Sequence, residues 1–377
     1  MKEGIKLFKV LGIEISLDFS WFIIFFLVTW SLASGYFPFK YPFFAPGTYW
    51  LMGTISSVLL FATVLMHELS HSVVANMNGL NIRRIKLFVF GGVAQLNREP
   101  QSPRIEFDVA IAGPICSFIL HFVFKGMASS ISAIWPGQGQ NAVVVILTYL
   151  SFINLFLAIV NLIPAYPLDG GRVLRAFLWA RTRSLRRATA IASNIGKLFA
   201  LVLILNGFVV AIRGELAGLW YVFIGMFLFG AAKMGYENVL LRDAMSGSRV
   251  GEVMSPAITI NDVGMTLDRA IDRYFFHYHH SSFPVMQKGK LAGMLNLARI
   301  KQVPREDWHK ITVGQCLEPM DPLTVVRAGD KTINILRRLA EHANEHFMVM
   351  QGEQIVGIIT RVDIMKLLKL KVDLDVK

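Results

Sequence analysis

The sequence predicts an α-helical protein that crosses a membrane several times and carries a polar α+β module at its C-terminal end. Hydrophobic residues make up 54% of the 377 positions and the mean hydropathy is +0.50, which excludes an ordinary soluble enzyme. The long apolar runs lie before about residue 235, whereas charged residues become frequent beyond it. The chain is long enough for each part to form its own core.

Six apolar segments are long enough to cross the ~30 Å hydrocarbon core of a bilayer. They comprise residues 17–36, 50–76, 107–124, 142–164, 192–212 and 216–234. Residues 85–96 lie between the second and third segments and are rich in β-branched and aromatic side chains around Gly91-Gly92. This composition predicts a short hairpin or re-entrant strand next to the membrane.

Basic residues in the connecting segments predict the orientation of the protein. They concentrate before the first span and in the second and fourth loops, for example at Lys6, Arg84 and Arg183. Under the positive-inside rule, the N-terminus, the C-terminus and the polar module are all expected in the cytoplasm. The same asymmetry explains the net charge of +12, so no nucleic-acid partner is expected.

The segment His67-Glu68-Leu69-Ser70-His71 lies inside an apolar run, where ionisable groups are costly unless they serve a site. On a helix, His67 and His71 project from one face and can bind the same metal ion, ordinarily zinc. Glu68 projects elsewhere and can reach water at the metal. A chance H-E-x-x-H match is the alternative, but hydrocarbon would leave such a cluster unsolvated.

A third ligand is expected from the end of the fourth span. There the chain reads Asn161-Leu162-Ile163-Pro164-Ala165-Tyr166-Pro167-Leu168-Asp169-Gly170-Gly171-Arg172. The two prolines interrupt the helix and place Asp169 on irregular backbone near the membrane edge. The second and fourth spans run in the same direction, so Asp169 and the histidines are expected at the same depth.

The H-E-L-S-H and N-L-I-P-A-Y-P-L-D-G-G-R elements together resemble the site-2 protease family of intramembrane zinc metalloproteases, over about residues 1–235. The resemblance implies that His67, His71 and Asp169 bind zinc and that Glu68 is the catalytic base. Many relatives read N-P-D-G where this chain has Pro167-Leu168-Asp169-Gly170. The P-L-D-G-G-R form resembles a prokaryotic branch, which implies a multi-pass protein of a prokaryotic cell membrane.

The resemblance also implies how a substrate is handled. We expect Asn161, just before the proline break, to polarise the scissile carbonyl, whereas Asn154 can equally well hydrogen-bond a neighbouring helix. A substrate that spans or is anchored in the lipid bilayer must be unwound locally before attack. In related proteases a sheet such as the one expected at 85–96 holds extended substrate by strand addition, although a purely structural hairpin stays open. Ala112-Gly113-Pro114 is adequately explained by close helix packing, and we leave His121 out of the metal shell.

The polar part contains a repeat with a period of about 63 residues, because Val250-Gly251-Glu252-Val253 recurs as Val313-Gly314-Gln315-Cys316. Over about residues 246–370 it resembles tandem cystathionine-β-synthase (CBS) domains. We therefore divide the chain into a membrane protease domain at 1–235, a linker at 236–249 and CBS repeats at 250–310 and 311–377. The resemblance implies an adenine-nucleotide site at Thr360 and Asp363, or else a module that binds no nucleotide and is regulatory or forms a homodimer.

The leading hypothesis is a zinc metalloendopeptidase that cuts membrane proteins and is regulated by its CBS pair. A zinc-dependent transporter or channel is one alternative, but it leaves Glu68 without a role. A catalytically silent membrane binding protein is the other, and the intact set of Glu68 and the three ligands disfavours it. His277, His279 and His280 invite a second metal site, yet a solvated turn without a carboxylate or cysteine is the favoured interpretation.

Overall fold

A computed structural model describes residues 4–89, 91–94, 100–134, 141–215, 217–245, 247–278, 280–319, 324–341, 346–352 and 354–373. The chain forms two compact units, Met1–Val239 and Leu240–Lys377. The first is mostly helical with one small sheet, and the second mixes short helices with strands. The prediction of a helical membrane part followed by an α+β part is therefore confirmed.

Six helical segments among the described residues are long and apolar enough to span a membrane, as predicted. The first comprises α1 (Phe19–Ser31), a π-helical turn (Leu32–Tyr36) and α2 (Phe37–Lys40). The others are α3 (Pro46–Met77), α4 (Pro103–Ile134), α5 (Ala142–Asn161), α7 (Leu185–Ile212) and α8 (Ala217–Met245). The shorter helix α6 (Asp169–Thr182) follows α5 and precedes α7 in the chain. Helix α4 is longer than the predicted span of 107–124, because the helix continues beyond it at both ends.

Side chains and prolines define where these helices begin. Asp18 caps α1 by accepting a hydrogen bond from the Ser20 amide at 3.0 Å, and the Asn141 side chain caps α5 in the same way. Helix α3 begins with Pro46, which lacks the amide hydrogen that the first turn would leave unpaired. Pro114 lies inside α4, where a membrane bundle tolerates it.

Two strands before the first span and two strands after the second span form one four-stranded sheet. Its strands are β1 (Ile5–Val10), β2 (Ile13–Leu17), β3 (Arg84–Phe88) and β4 (Gly91–Ala94), in that order. β2 and β3 pair in parallel, and the other two pairs are antiparallel. The predicted hairpin at 85–96 corresponds to β3 and β4, while Phe90, Gln95 and Leu96 lie outside the described residues. The N-terminal hairpin of β1 and β2 was not predicted.

The sheet buries one face against α3. Ile13, Ile15 and Leu17 of β2 alternate with polar residues and pack with Ile85 and Leu87 of β3. Trp21 of α1 and Leu65 and Leu69 of α3 cover this cluster. The sheet is thereby fixed next to the turn of α3 that carries the H-E-x-x-H motif.

The second unit contains two similar cores. One includes Leu267, Phe283 and Leu295, and the other includes Met245, Phe347 and Ile359. Residues Ser255–Pro256, Gln354–Thr360, His346–Gln351 and Val325–Arg327 form one sheet in that order, and Ser282–Gln287 and Lys290–Asn296 form another. Helix α8 continues through Met245, so most of the segment designated as a linker is helical.

The strands of this unit are β5 (Ser255–Pro256), β6 (Ser282–Gln287), β7 (Lys290–Asn296), β8 (Val325–Arg327), β9 (His346–Gln351) and β10 (Gln354–Thr360). Its helices are α9 (Val250–Val253), α10 (Leu267–Ala270), α11 (Phe276–Tyr278), α12 (Leu297–Ile300), α13 (Thr332–Glu341) and α14 (Arg361–Asp373). A π-helical turn (Ile271–Phe275) joins α10 to α11.

Candidate metal centre

Three side chains from two helices converge in the membrane unit. His67 and His71 lie one turn apart on α3, are 4% and 7% exposed, and their Nε2 atoms are 3.2 Å apart. Asp169, the first residue of α6, is also buried, and its Oδ2 atom lies 3.2 Å from Nε2 of each histidine. Among the described residues, these three form the one group of histidine, cysteine and acidic side chains close enough to hold a metal ion.

The triangle has the dimensions of a zinc site. Zinc ligands at about 2.0–2.1 Å in tetrahedral geometry lie about 3.3 Å from one another, which matches the three separations of 3.2 Å. Gly113 of α4 lies against the histidines, and a Cβ atom there would lie only 2.5 Å from Nε2 of His67. A side chain at this position would fill the cradle, so the glycine leaves room for an ion.

Contacts with α4 fix the orientation of both imidazoles. The Nδ1 atom of His71 donates to the Val109 carbonyl at 2.6 Å, and Nδ1 of His67 lies 2.9 Å from the Ser117 hydroxyl. With both Nδ1 atoms protonated, both Nε2 lone pairs face the centre of the triangle. Such partners of the ligands raise their basicity and restrict their motion.

The turn between α5 and α6 positions the carboxylate. Gly170 and Gly171 pack so closely on the backbone of Leu162 and Tyr166 that a Cβ atom at either position would overlap it. This close approach explains the glycine pair that follows Asp169. Burial raises the pKa of the Asp169 carboxyl, and hydrogen bonds from protonated Nε2 atoms of His67 and His71 lower it well below its usual range. A metal ion between the three groups would replace those protons and would favour the ionised carboxylate in the same way.

Glu68 lies next to the edge of the small sheet. It is half-buried, and a Cβ atom on Gly92 of β4 would lie 2.5 Å from its Cγ atom. The absence of a side chain at Gly92 thus gives the carboxylate its space. Strand β4 is an edge of the sheet as far as the described residues extend.

The two asparagines of α5 differ in environment. Asn161 is the last residue of α5 and is half-buried. Asn154 is buried, and its Nδ2 atom donates to the Leu150 carbonyl at 2.8 Å. His121 bonds through Nδ1 to Ser151, at 2.9 Å from its hydroxyl, and is not part of the metal group.

Sequence reasoning missed the residues of α4 that support the site. Ser117 follows Gly113 by four positions and therefore lies on the same face of the helix. The sequence contains that spacing, but it does not indicate that Ser117 contacts His67, which follows from the packing of the helices. A second unpredicted contact joins Arg175 of α6 to Glu106 of α4.

Comparisons with known proteins show the family of this chain. The peptidase family M50 model matches residues 55–133 and 123–203. Zinc metalloprotease MJ0392 of Methanocaldococcus jannaschii is 31% identical over 380 residues, which cover 99% of both chains. Rip3 of Mycobacterium tuberculosis is 31% identical over 379 residues, covering 98% of this chain and 93% of its own. The chain belongs to peptidase family M50, the site-2 proteases.

A solved site-2 protease from Methanocaldococcus jannaschii is 32% identical and covers 62% of this chain and 95% of its own, with a TM-score of 0.43. As a site-2 protease, the chain is an integral membrane zinc metalloprotease that acts on membrane proteins, and the expectation of this enzyme class is confirmed. The CBS domain model matches residues 313–370.

In the CBS part, Thr360 and Asp363 form a capping box at the start of α14. The Asp363 Oδ2 atom accepts hydrogen bonds from the Thr360 amide at 2.9 Å and its hydroxyl at 2.6 Å. Its Oδ1 atom accepts from the Ser255 hydroxyl at 2.8 Å. His277 and His280 belong to no metal group of the described residues, and His279 lies outside those residues.

Proposed function

We propose that His67, His71 and Asp169 of this site-2 protease hold one zinc ion and that Glu68 is its general base. The observation that carries the assignment is the triangle of ligand atoms 3.2 Å apart, with Glu68 on the same helix as both histidines. When bound by these residues, zinc would supply Lewis-acid chemistry, lowering the pKa of water and polarising a peptide carbonyl.

The remaining chemistry is assigned to side chains of the chain. Glu68 takes a proton from the attacking water and delivers it to the amine that leaves when the peptide bond breaks. The Asn161 amide donates a hydrogen bond to the carbonyl oxygen, where negative charge develops. Its place at the end of α5, eight residues before Asp169, supports this role.

Strand β4 is proposed to receive the substrate. A peptide that pairs with its edge would lie extended, with its backbone groups satisfied by the strand. Gly92 brings this edge against Glu68, so a paired segment would present its carbonyls beside the general base. The enzyme would thus unwind a transmembrane segment by replacing helical hydrogen bonds with strand hydrogen bonds.

The CBS pair is proposed to be cytoplasmic, together with both chain termini, on the basis of the positive loops. We propose that it regulates substrate access, through an adenine nucleotide bound near Thr360 and Asp363 or through pairing of two copies. The position of both residues at the N-terminus of α14 supports a phosphate contact. Binding would exchange part of their mutual hydrogen bonds for bonds to the ligand.

Metal analysis of purified protein in detergent tests the ligand set. His71→Ala and Asp169→Ala should each lose zinc and the cleavage of single-span membrane peptides. His121→Ala is the matched control, because it removes a histidine of a membrane helix that bonds to Ser151 instead. Zinc retained at the wild-type level in His71→Ala would remove the assignment.

A further inference from the structure

Helix α4 contributes no candidate ligand, yet its residues contact both histidines and the helix that carries Asp169. Val109 and Ser117 bind the two histidines. One turn before Val109 lies Glu106, which is 1% exposed and faces α6. The third ligand, Asp169, therefore also depends on α4 if the Glu106 contact fixes α6.

Glu106 forms a buried ion pair with Arg175. The Arg175 Nε atom donates to Glu106 Oε1 at 2.7 Å, and its Nη2 atom contacts the same oxygen. The Arg175 side chain is only 11% exposed. A buried pair of this kind is costly to break from one side, because the remaining charge is left without its partner. The two helices are thereby fixed relative to each other.

Arg175 also covers the turn that leads to Asp169. Its guanidinium carbon lies 5.1 Å from the centre of the Tyr166 ring, within the range of a cation–π contact. Tyr166 is also packed by α7 and α8, because a Cβ atom on Gly196 would overlap its carbonyl and one on Gly235 would overlap its ring. The turn is thus held by contacts with α6, α7 and α8.

We propose that Glu106 and Arg175 are a positioning pair for the third zinc ligand, an inference that rests on the proposed role of Asp169. Arg175 lies six residues after Asp169, which is about 9 Å along a helix. A tilt of α6 by about 5° over that distance moves Asp169 by about 0.8 Å. Zinc sites tolerate about 0.2 Å in ligand distance, so loss of the pair should weaken the metal site.

The sign of the effect separates positioning from simple electrostatics. Removal of a positive charge near the ion would strengthen zinc binding if Arg175 acted only through its charge. Removal of a positioning contact weakens zinc binding instead. A lysine at position 175 keeps the charge but cannot make the two-atom contact, and it should restore zinc binding only in part.

Zinc affinity is measured by competition with a chelator on folded, monodisperse full-length protein, together with kcat and KM for a membrane peptide. We expect Arg175→Met to weaken zinc binding roughly 10–100-fold and to lower kcat at fixed free zinc with little change in KM. Arg175→Lys should have a zinc affinity and a kcat between those of Arg175→Met and wild type. The matched control is Asp108→Asn, which breaks the exposed pair with Arg104 on the same helix, 3.9 Å apart, and should stay within about twofold of wild type.

Glu106→Leu removes the acceptor of both Arg175 hydrogen bonds and decides the question if Arg175→Met does not accumulate as folded protein. Wild-type zinc affinity in folded Glu106→Leu, or tighter binding in Arg175→Met, would overturn the positioning role. Wild-type protein that binds no zinc at all would overturn the ligand assignment itself. The two failures are therefore distinguishable.

Discussion

Gly113 offers a sharp test of where the metal lies. Its position on α4 brings the backbone against both imidazoles, and a Cβ atom there would lie 2.5 Å from the His67 Nε2 atom and closer still to that of His71. The substitution Gly113→Ala adds one methyl group at this point. It leaves every proposed ligand and the general base in the sequence.

The magnitude follows from the contact distance. Nonbonded heavy atoms pack at about 3.5 Å, so the imidazole must retreat by about 1 Å from a Cβ atom placed 2.5 Å away. That displacement is several times the ~0.2 Å that a zinc site tolerates. We therefore expect zinc affinity to fall by at least about 100-fold, the upper end of effects seen for the partners of metal ligands.

Two assays distinguish an effect on the metal site from an effect on the stability of the helix. Alanine favours a helix over glycine by up to about 1 kcal/mol, but a Cβ atom before Pro114 also crowds the proline ring. Thermal unfolding with excess chelator measures this backbone effect, and chelator competition measures zinc affinity. Gly126→Ala on the same helix is the control, because a Cβ atom there meets nothing within 4 Å. Wild-type zinc affinity in Gly113→Ala would refute the placement of the metal.

Further predictions concern the neighbours of the site, the sheet and the CBS unit. Ser117→Ala should weaken zinc binding roughly tenfold by chelator competition, and an unchanged affinity would exclude a role in orienting His67. Asn161→Ala should keep zinc but lower kcat roughly 10²–10³-fold, and an unchanged kcat would remove it from catalysis. The hydrogen bonds that Asp18 accepts from Lys86 and from Ser20 lower the pKa of its carboxyl from 3.8 to about 2. Stability should therefore fall as the pH drops from about 4 towards 2, and unfolding curves of Asp18→Asn should lack this component. Asp363→Ala should lower the unfolding free energy by about 1 kcal/mol without nucleotide, whereas an unchanged value would contradict the capping box.

Local patterns made part of the site predictable. The spacing of His67 and His71 is a property of one helical turn, and the prolines that follow Asn161 mark the end of the membrane helix before Asp169. Both signals lie within a few residues of the groups that they identify. The resemblance to site-2 proteases then joined the two segments, which are separated by about 100 residues.

Contacts between distant segments were not predictable in this way. Ser117 is 50 residues from His67, and Arg175 is 69 residues from Glu106. Neither pair has a spacing that distinguishes it from ordinary helix surfaces. Only the packing of α3 and α6 on α4 gives these residues their partners.

The N-terminal hairpin escaped prediction for a different reason. Its turn is formed by Leu11 and Gly12, with φ angles of 50° and 78°, whereas asparagine or aspartate before glycine is the usual signal of such a turn. Leu11 is not a residue type that indicates such a turn. The alternation of Ile13, Ile15 and Leu17 becomes recognisable once the strand is seen to pair with β3.

The most direct test of the central claim compares wild type with Glu68→Gln in liposomes, for zinc content and for cleavage of single-span membrane peptides. We expect about one zinc ion in each protein and cleavage by wild type alone, because the amide preserves the shape of the side chain but cannot take the proton from water. Cleavage by Glu68→Gln at the wild-type rate, or the absence of zinc from both proteins, would contradict the proposed site.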